Sequence, residues 1–255
     1  SIIGQSIGAN QNIVLMFALM SLQLTALISI YIAKNSTQSK SLKIFWQYLF
    51  MVTIGGGLAN TVLILYPTLN LIQDFLSLFS YFFIFLALET NPHLNETPVN
   101  KFSGGRVPAI FFVVVCFSYF ILLPYEFSEL NYQSRQPSVM FHLLITGLIG
   151  FRLFISFAKS TTAYWRHLYG MLLIGASVIF IDNLINFFEV SHHQRIFSVF
   201  NSVFILLPFL ALIISSKISL THDNPPTSKQ YEVNSELYML ILVLDLLSLH
   251  LLGNH

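Results

Sequence analysis

Charge is what this chain has least of. Only 9% of its residues are Asp, Glu, Lys or Arg, and the formal net charge is +1. That balance, with no basic stripe and no interleaved aromatics, excludes a nucleic-acid partner. There is one cysteine, Cys116, set within an apolar run, so no intrachain disulfide and no zinc site of the cysteine type can form. The first residues carry neither a basic n-region nor a small-residue cleavage site; no signal peptide is expected, and the first apolar stretch would act as its own insertion signal. Serine-hydrolase, kinase and nucleotide-loop motifs are missing as well.

What is there is grease. Apolar residues make up 55% of the chain and Phe alone contributes 25 of them, far beyond the needs of a soluble domain of this size. A crossing of a hydrocarbon core ~30 Å thick takes about 20 mostly apolar residues. Seven stretches meet that requirement: 11–34, 43–66, 68–90, 107–125, 137–158, 163–189 and 196–216. Tyr31, Trp46, Tyr48, Tyr66, Tyr125, Tyr132, Tyr164 and Trp165 gather near their boundaries, where amphipathic rings prefer to sit.

The few basic residues orient the bundle. Lys34, Lys40, Lys43, Lys101, Arg106, Arg152, Lys159, Arg166, Lys217 and Lys229 fall on or beside every second connection, whereas the alternate ones hold only Arg135 and Arg195. Basic residues are retained on the cytoplasmic side during insertion. The expected fold class is therefore an all-α membrane protein, a seven-transmembrane-helix bundle with its N-terminus outside and the residues after the last span inside. The expected location is the plasma membrane, multi-pass and in contact with lipid throughout.

Residues 1–216 form the transmembrane domain in this reading, and 217–235 a polar linker. Residues 236–255 hold a short extra apolar C-terminal helix. In it Leu237, Leu240, Leu244, Leu247 and Leu251 recur at three- and four-residue spacings, a seam through which the chain could form a homodimer or dock a partner. At 17 residues, 236–252 measures ~25 Å, short for a crossing, and is read as interfacial or partner-packing. Gly55, Gly56, Gly57, Gly147, Gly150, Gly170, Gly175 and Ala176 mark places for close helix approach. Pro208 removes one backbone bond in the middle of the last span and should kink it.

Buried polar residues are costly in a membrane unless paired, which makes them the best functional signal here. Asn60, Gln73 with Asp74, His142, Asp182 and Asn201 each fall five to seven residues from the outer end of their span. At 1.5 Å per residue they share a level ~8–11 Å below the outer surface. Span six is densest: Asp182, Asn186 and Glu189 share a face at i, i+4, i+7, with Asn183 a step round. Two readings compete. The residues could simply tie helices together, or Asn60, Gln73, Asp74, His142, Asp182, Asn183, Asn186 and Asn201 could line an outward-facing pocket for a small polar or cationic ligand. Two acids and a histidine at one depth favour the pocket, with Asp182 as its principal anion. No cofactor is expected. One intramembrane histidine at this level and no His-x-x-x-His pair argue against zinc, despite His192 and His193 on the loop above. Paired axial histidines for haem are missing too. A retinal Schiff base would need a lysine deep in the last span, whose Lys217 stands at the inner end.

In topology, outer polar pocket and exit into a polar linker with a leucine seam, residues 11–216 resemble the seven-helix input modules of bacterial membrane sensors. That resemblance implies ligand binding from outside and relay to a cytoplasmic output, which would lie in a further domain or a separate partner. The other classes considered are an accessory or scaffold subunit, a transporter, and a seven-helix metal-dependent hydrolase. The transporter lacks paired repeats and broken helices, the hydrolase its histidine motif, and a non-enzymatic role is favoured. The charge rule makes a direct prediction. The triplet Asn35-Ser36-Thr37 is a nominal glycosylation acceptor on a connection read as cytoplasmic. Expressed in a eukaryotic secretory system, Asn35 should stay unmodified by gel-shift assay, whereas sugar there would mean an inverted bundle.

Overall fold

The computed structural model describes residues 2–66, 69–90, 92, 113–122, 136–192 and 198–220. All regular structure in them is helical. We number the helices α1 (Ile2–Ser36), α2 (Lys40–Leu65), α3 (Asn70–Glu89), α4 (113–122), α5 (Gln136–Lys159), α6 (Ala163–His192) and α7 (Ser198–Leu220). Each coincides with one of the seven apolar stretches. Five contain segments long and apolar enough to cross a membrane: Val14–Ser36, Lys40–Leu65, Leu71–Glu89, Ser138–Lys159 and Ala163–Phe188; α7 contributes a shorter one, Phe204–Leu220. The protein is thus a multi-pass helical membrane protein. The linker and the apolar stretch 236–252 lie outside the described residues.

Lipid offers no hydrogen-bond partners, so polar groups within a span must be satisfied by the chain itself. Several hydroxyls do this by folding back onto a carbonyl one turn earlier: Thr53 onto Leu49, Thr61 onto Gly57, Thr146 onto His142, Ser160 onto Ser156 and Ser215 onto Ala211, at 2.6–2.8 Å. Ser39, in extended conformation, caps the start of α2. The second half of α4, Ser118–Leu122, is a π-helix that the sequence pattern did not announce.

The helices form a closed ring. α1 packs on α2, α2 on α3, α5 on α6, α6 on α7, and α7 returns to α1. Short connections make the consecutive neighbours antiparallel, whereas α7 and α1 run parallel. α3 and α5, which run parallel, meet along a more open seam. There α4 lays Phe117 against Phe75 of α3 and Phe141 of α5, with ring centroids 6.4 and 5.7 Å away. The main apolar core runs through the bundle, with Phe141 nearer one end and Phe45, Trp46, Phe85, Trp165 and Tyr169 towards the other. At that end Ser219 of α7 accepts bonds from Trp46 Nε1 (3.1 Å) and the Tyr164 hydroxyl (3.2 Å), tying α2, α6 and α7 together. All described Lys and Arg side chains lie towards this same end, which we call the basic end: Lys34, Lys40, Lys43, Arg152, Lys159, Arg166 and Lys217.

Glycines set the closest approaches. A β-carbon on Gly55 would come within 2.5 Å of Ser80 Oγ, 2.8 Å of a Phe79 ring carbon and 3.3 Å of the Leu76 carbonyl. α2 and α3 are therefore packed backbone to backbone at this point. Gly175 brings α6 against Ala211 and Pro208 of α7, which continues as one helix through the proline. Gly150, by contrast, faces open space. Gly55→Ala should force α3 outward and cost about 1–3 kcal/mol, read as a lower unfolding midpoint in lipid nanodiscs. Gly150→Ala should stay within about 0.5 kcal/mol of the parent.

Candidate functional site

The predicted polar residues divide into two groups, one spent on helix contacts and one on the wall of a cavity. The first group bridges the α3–α5 seam. Asp74 enters from the first turns of α3 and His142 from the second turn of α5. Parallel helices starting at the same end bring these two positions to one depth. His142 Nε2 lies 2.9 Å from Asp74 Oδ1, which also accepts from Ser138 Oγ at 2.8 Å. On its other side the imidazole Nδ1 lies 2.9 Å from the Tyr81 hydroxyl. With a neutral ring the chain runs in one direction: Tyr81 O–H donates to Nδ1, and Nε2–H donates to the carboxylate. Protonation of the ring would reverse the Tyr81 bond. Asp74 is 2% exposed and its Oδ2 has no hydrogen-bond partner among the described residues. At the basic end the same seam is closed again, by Arg152 of α5 on Glu89 of α3 at 2.6 Å, both buried.

The second group faces inward. A cavity of about 190 Å³ lies between α2, α3, α5, α6 and α7. Asn60 and Asp182 are on its wall, together with Tyr81 and Thr146. The opposite stretch of wall is apolar, formed by Phe45, Leu49, Leu88, Leu153, Leu172 and Leu212. Along α2 the lining runs from Asn60 to Phe45 and along α6 from Asp182 to Leu172. Those runs of 15 and ten residues correspond to roughly 22 and 15 Å. The cavity is thus elongated along the ring axis, polar at one end and apolar at the other.

Asp74 and His142 do not line this cavity; they stand behind Tyr81, whose hydroxyl they hold. Asn186 and Asn183, one turn and one residue beyond Asp182 on α6, have separate tasks. Asn186 Nδ2 reaches Asp182 Oδ2 at 3.4 Å, and Asn183 Nδ2 donates to Thr146 Oγ1 of α5 at 3.3 Å. Gln73 is half-buried beside Asp74 and is not on the cavity wall. Asn201 lies in the first turn of α7, and neither its side chain nor that of Glu189 belongs to the described set. Among the described residues no three His, Cys, Asp or Glu side chains come together as a metal site.

Sequence reasoning missed Tyr81, the residue that joins the two groups, because a Tyr among Phe residues in a span reads as core. Its signal was spacing: Tyr81 lies seven residues after Asp74, two turns along the same face of α3. No protein-family model matches the chain, and no characterised protein or solved structure is detectably similar to it.

The Asp74–His142 bridge can be weighed by a double-mutant cycle. His142→Phe would leave Asp74 with Ser138 alone and strip the Tyr81 hydroxyl of its acceptor. Combined with Asp74→Leu, it should cost less than the two single changes summed, by about 1–2 kcal/mol. Unfolding in bilayers measures this, and additivity would show that the two side chains do not support each other.

Proposed function

We propose that the chain is a receptor or sensor module that binds a small molecule within the membrane and relays occupancy through α7 to a cytoplasmic partner or output segment. The observation that carries this reading is the elongated cavity between five helices, with one carboxylate on its wall. A bundle needing only stability would gain by filling such a space, because each void forfeits packing. The relay has a physical basis in α7. That helix supplies Pro208 to the cavity wall and Ser219 to the clamp at its far end. It is also the helix leading into the residues beyond 220. We read the end bearing Asn60 and Asp182 as the outer one, since all described cations cluster at the other, and the protein as a binding module rather than an enzyme.

The competing reading is an accessory or scaffold subunit whose polar residues only fix the ring. The Asp74–His142–Tyr81 network favours it, yet that network leaves the cavity unexplained. A plug discriminates between the two. A β-carbon on Gly56, on the cavity wall, would meet nothing nearer than Ser80 Oγ at 3.8 Å. Gly56→Leu should therefore fill space without clash and leave the unfolding temperature unchanged or raised. Under the receptor reading it should abolish any ligand-induced thermal stabilisation seen with the parent protein in nanodiscs. Retention of the full response in the plugged variant would place binding elsewhere.

A further inference from the structure

Most polar groups on the cavity wall already have partners within the protein. The Thr53 hydroxyl is held by the Leu49 carbonyl at 2.8 Å, and that of Ser80 lies 3.2 Å from the Leu76 carbonyl and 3.4 Å from that of Val52. Thr146 is bound to the His142 carbonyl, and the Tyr81 hydroxyl to the His142 ring. Asp182, the one charged side chain on the wall, is engaged by Asn186 and has a further interaction besides. Two lining groups differ. The half-buried Asn60 amide and Ser77 hydroxyl have no hydrogen-bond partner among the described residues. They are also close in level. Where α2 packs on α3, Gly55 and Gly56 face Ser80. The two helices are antiparallel, so Asn60, four residues after Gly56, and Ser77, three before Ser80, both lie on the outer side of this contact. Along the ring axis they differ by no more than about one turn, ~5 Å. A polar group shielded from water is costly until it is hydrogen-bonded, and lipid supplies no partner.

We propose that the cavity binds a single-chain amphiphile with an uncharged head, a primary alcohol or carboxamide, held between Asn60 and Ser77 with its alkyl chain directed towards Phe45 and Leu172. This rests on the receptor reading and names the ligand class for the same site. The polar contact thereby moves from Asp182, which the sequence singled out, to two neutral side chains. Each of them offers both a donor and an acceptor, and a hydroxyl or amide head answers both. An ammonium has no acceptor and a carboxylate no donor, so either would leave polar atoms on the wall unpaired. An ionic head would also have to shed its hydration at a place whose one charged side chain is already engaged. The alkyl chain replaces void with dispersion contacts along the apolar wall, about ten helical residues or roughly 15 Å long. A compact polar solute would leave that length empty.

Four probes of one chain length test this in the full chain in nanodiscs: dodecanol, dodecane, dodecylammonium and dodecanoate, each with a bromine on its terminal carbon. Fluorescence locates the chain, because the two tryptophans, Trp46 and Trp165, are both buried near the basic end. Trp46 packs edge-on against the cavity residue Phe45 at 5.3 Å. The brominated alcohol should quench this emission in the parent and lose most of that quenching in Gly56→Leu. It should bind at least about fivefold tighter than the alkane and than either ion. A smaller margin over an ion would overturn the uncharged class while leaving the receptor reading intact. In the double variant Asn60→Leu with Ser77→Ala, the advantage of alcohol over alkane should fall below about twofold while the alkane still quenches, an outcome that general unfolding would not give. An advantage kept above that would place the head elsewhere and overturn the proposal. Should the double variant fail to fold, Ser77→Ala alone, which only removes an oxygen, should lower the advantage at least about twofold, and a smaller loss would equally overturn it. If no probe distinguishes the parent from Gly56→Leu, the cavity is not a ligand site and both readings fall.

Discussion

The ring depends on how α3 and α5 are held together. The consecutive neighbours are joined by backbone proximity and by short connections, with Gly55 and Gly175 letting helices touch directly, and α1 and α7 pack closely on each other. α3 and α5 are not consecutive, run parallel and stay further apart. Inside a bilayer no hydrophobic force draws them together, because lipid tails are as apolar as the side chains. Polar bridges do it instead, at both ends of the seam: Ser138 and His142 on Asp74 at one, Arg152 on Glu89 at the other. The same bridges keep the seam from collapsing, and a ring that cannot collapse retains a central space.

This arrangement gives the buried polar residues a division of labour. Asp74 and His142 fix the Tyr81 hydroxyl, so the aromatic ring on the cavity wall has a set position. Asn183 plays a similar part for Thr146, on the neighbouring helix α5. Asp182 keeps contact with Asn186 on its own helix while remaining on the cavity surface. The bland and the functional accounts of such residues are therefore not alternatives for the group as a whole. The network supplies rigidity, and the cavity-facing members gain a defined geometry from it.

α7 connects this centre to the far end of the bundle. Pro208 leaves the Phe204 carbonyl without its usual intrahelical donor and sits where α7 meets Gly175 of α6. Eleven residues later Ser219 takes bonds from Trp46 and Tyr164. One helix thus carries the cavity wall, a built-in weak point and a polar clamp on two neighbouring helices. Displacement at the wall would have to be absorbed at Pro208 or passed on to the clamp.

The sequence by itself determined the helices and their common polar level. Apolar length fixes where a chain can cross a bilayer, and helical rise converts distance from a span end into depth, so Asn60, Asp74, His142 and Asp182 could be placed before any contact was known. Sequence could not determine which way each of these side chains turns. That depends on the rotation of each helix about its axis and on which non-consecutive helices meet. Only the tertiary structure turned Asp74 and His142 towards each other and Asp182 towards the cavity. It also gave Tyr81 a role that its aromatic surroundings had concealed. The reason is geometric: depth is a one-dimensional property that a sequence carries, whereas the pairing of side chains across a parallel seam exists only once the ring has closed.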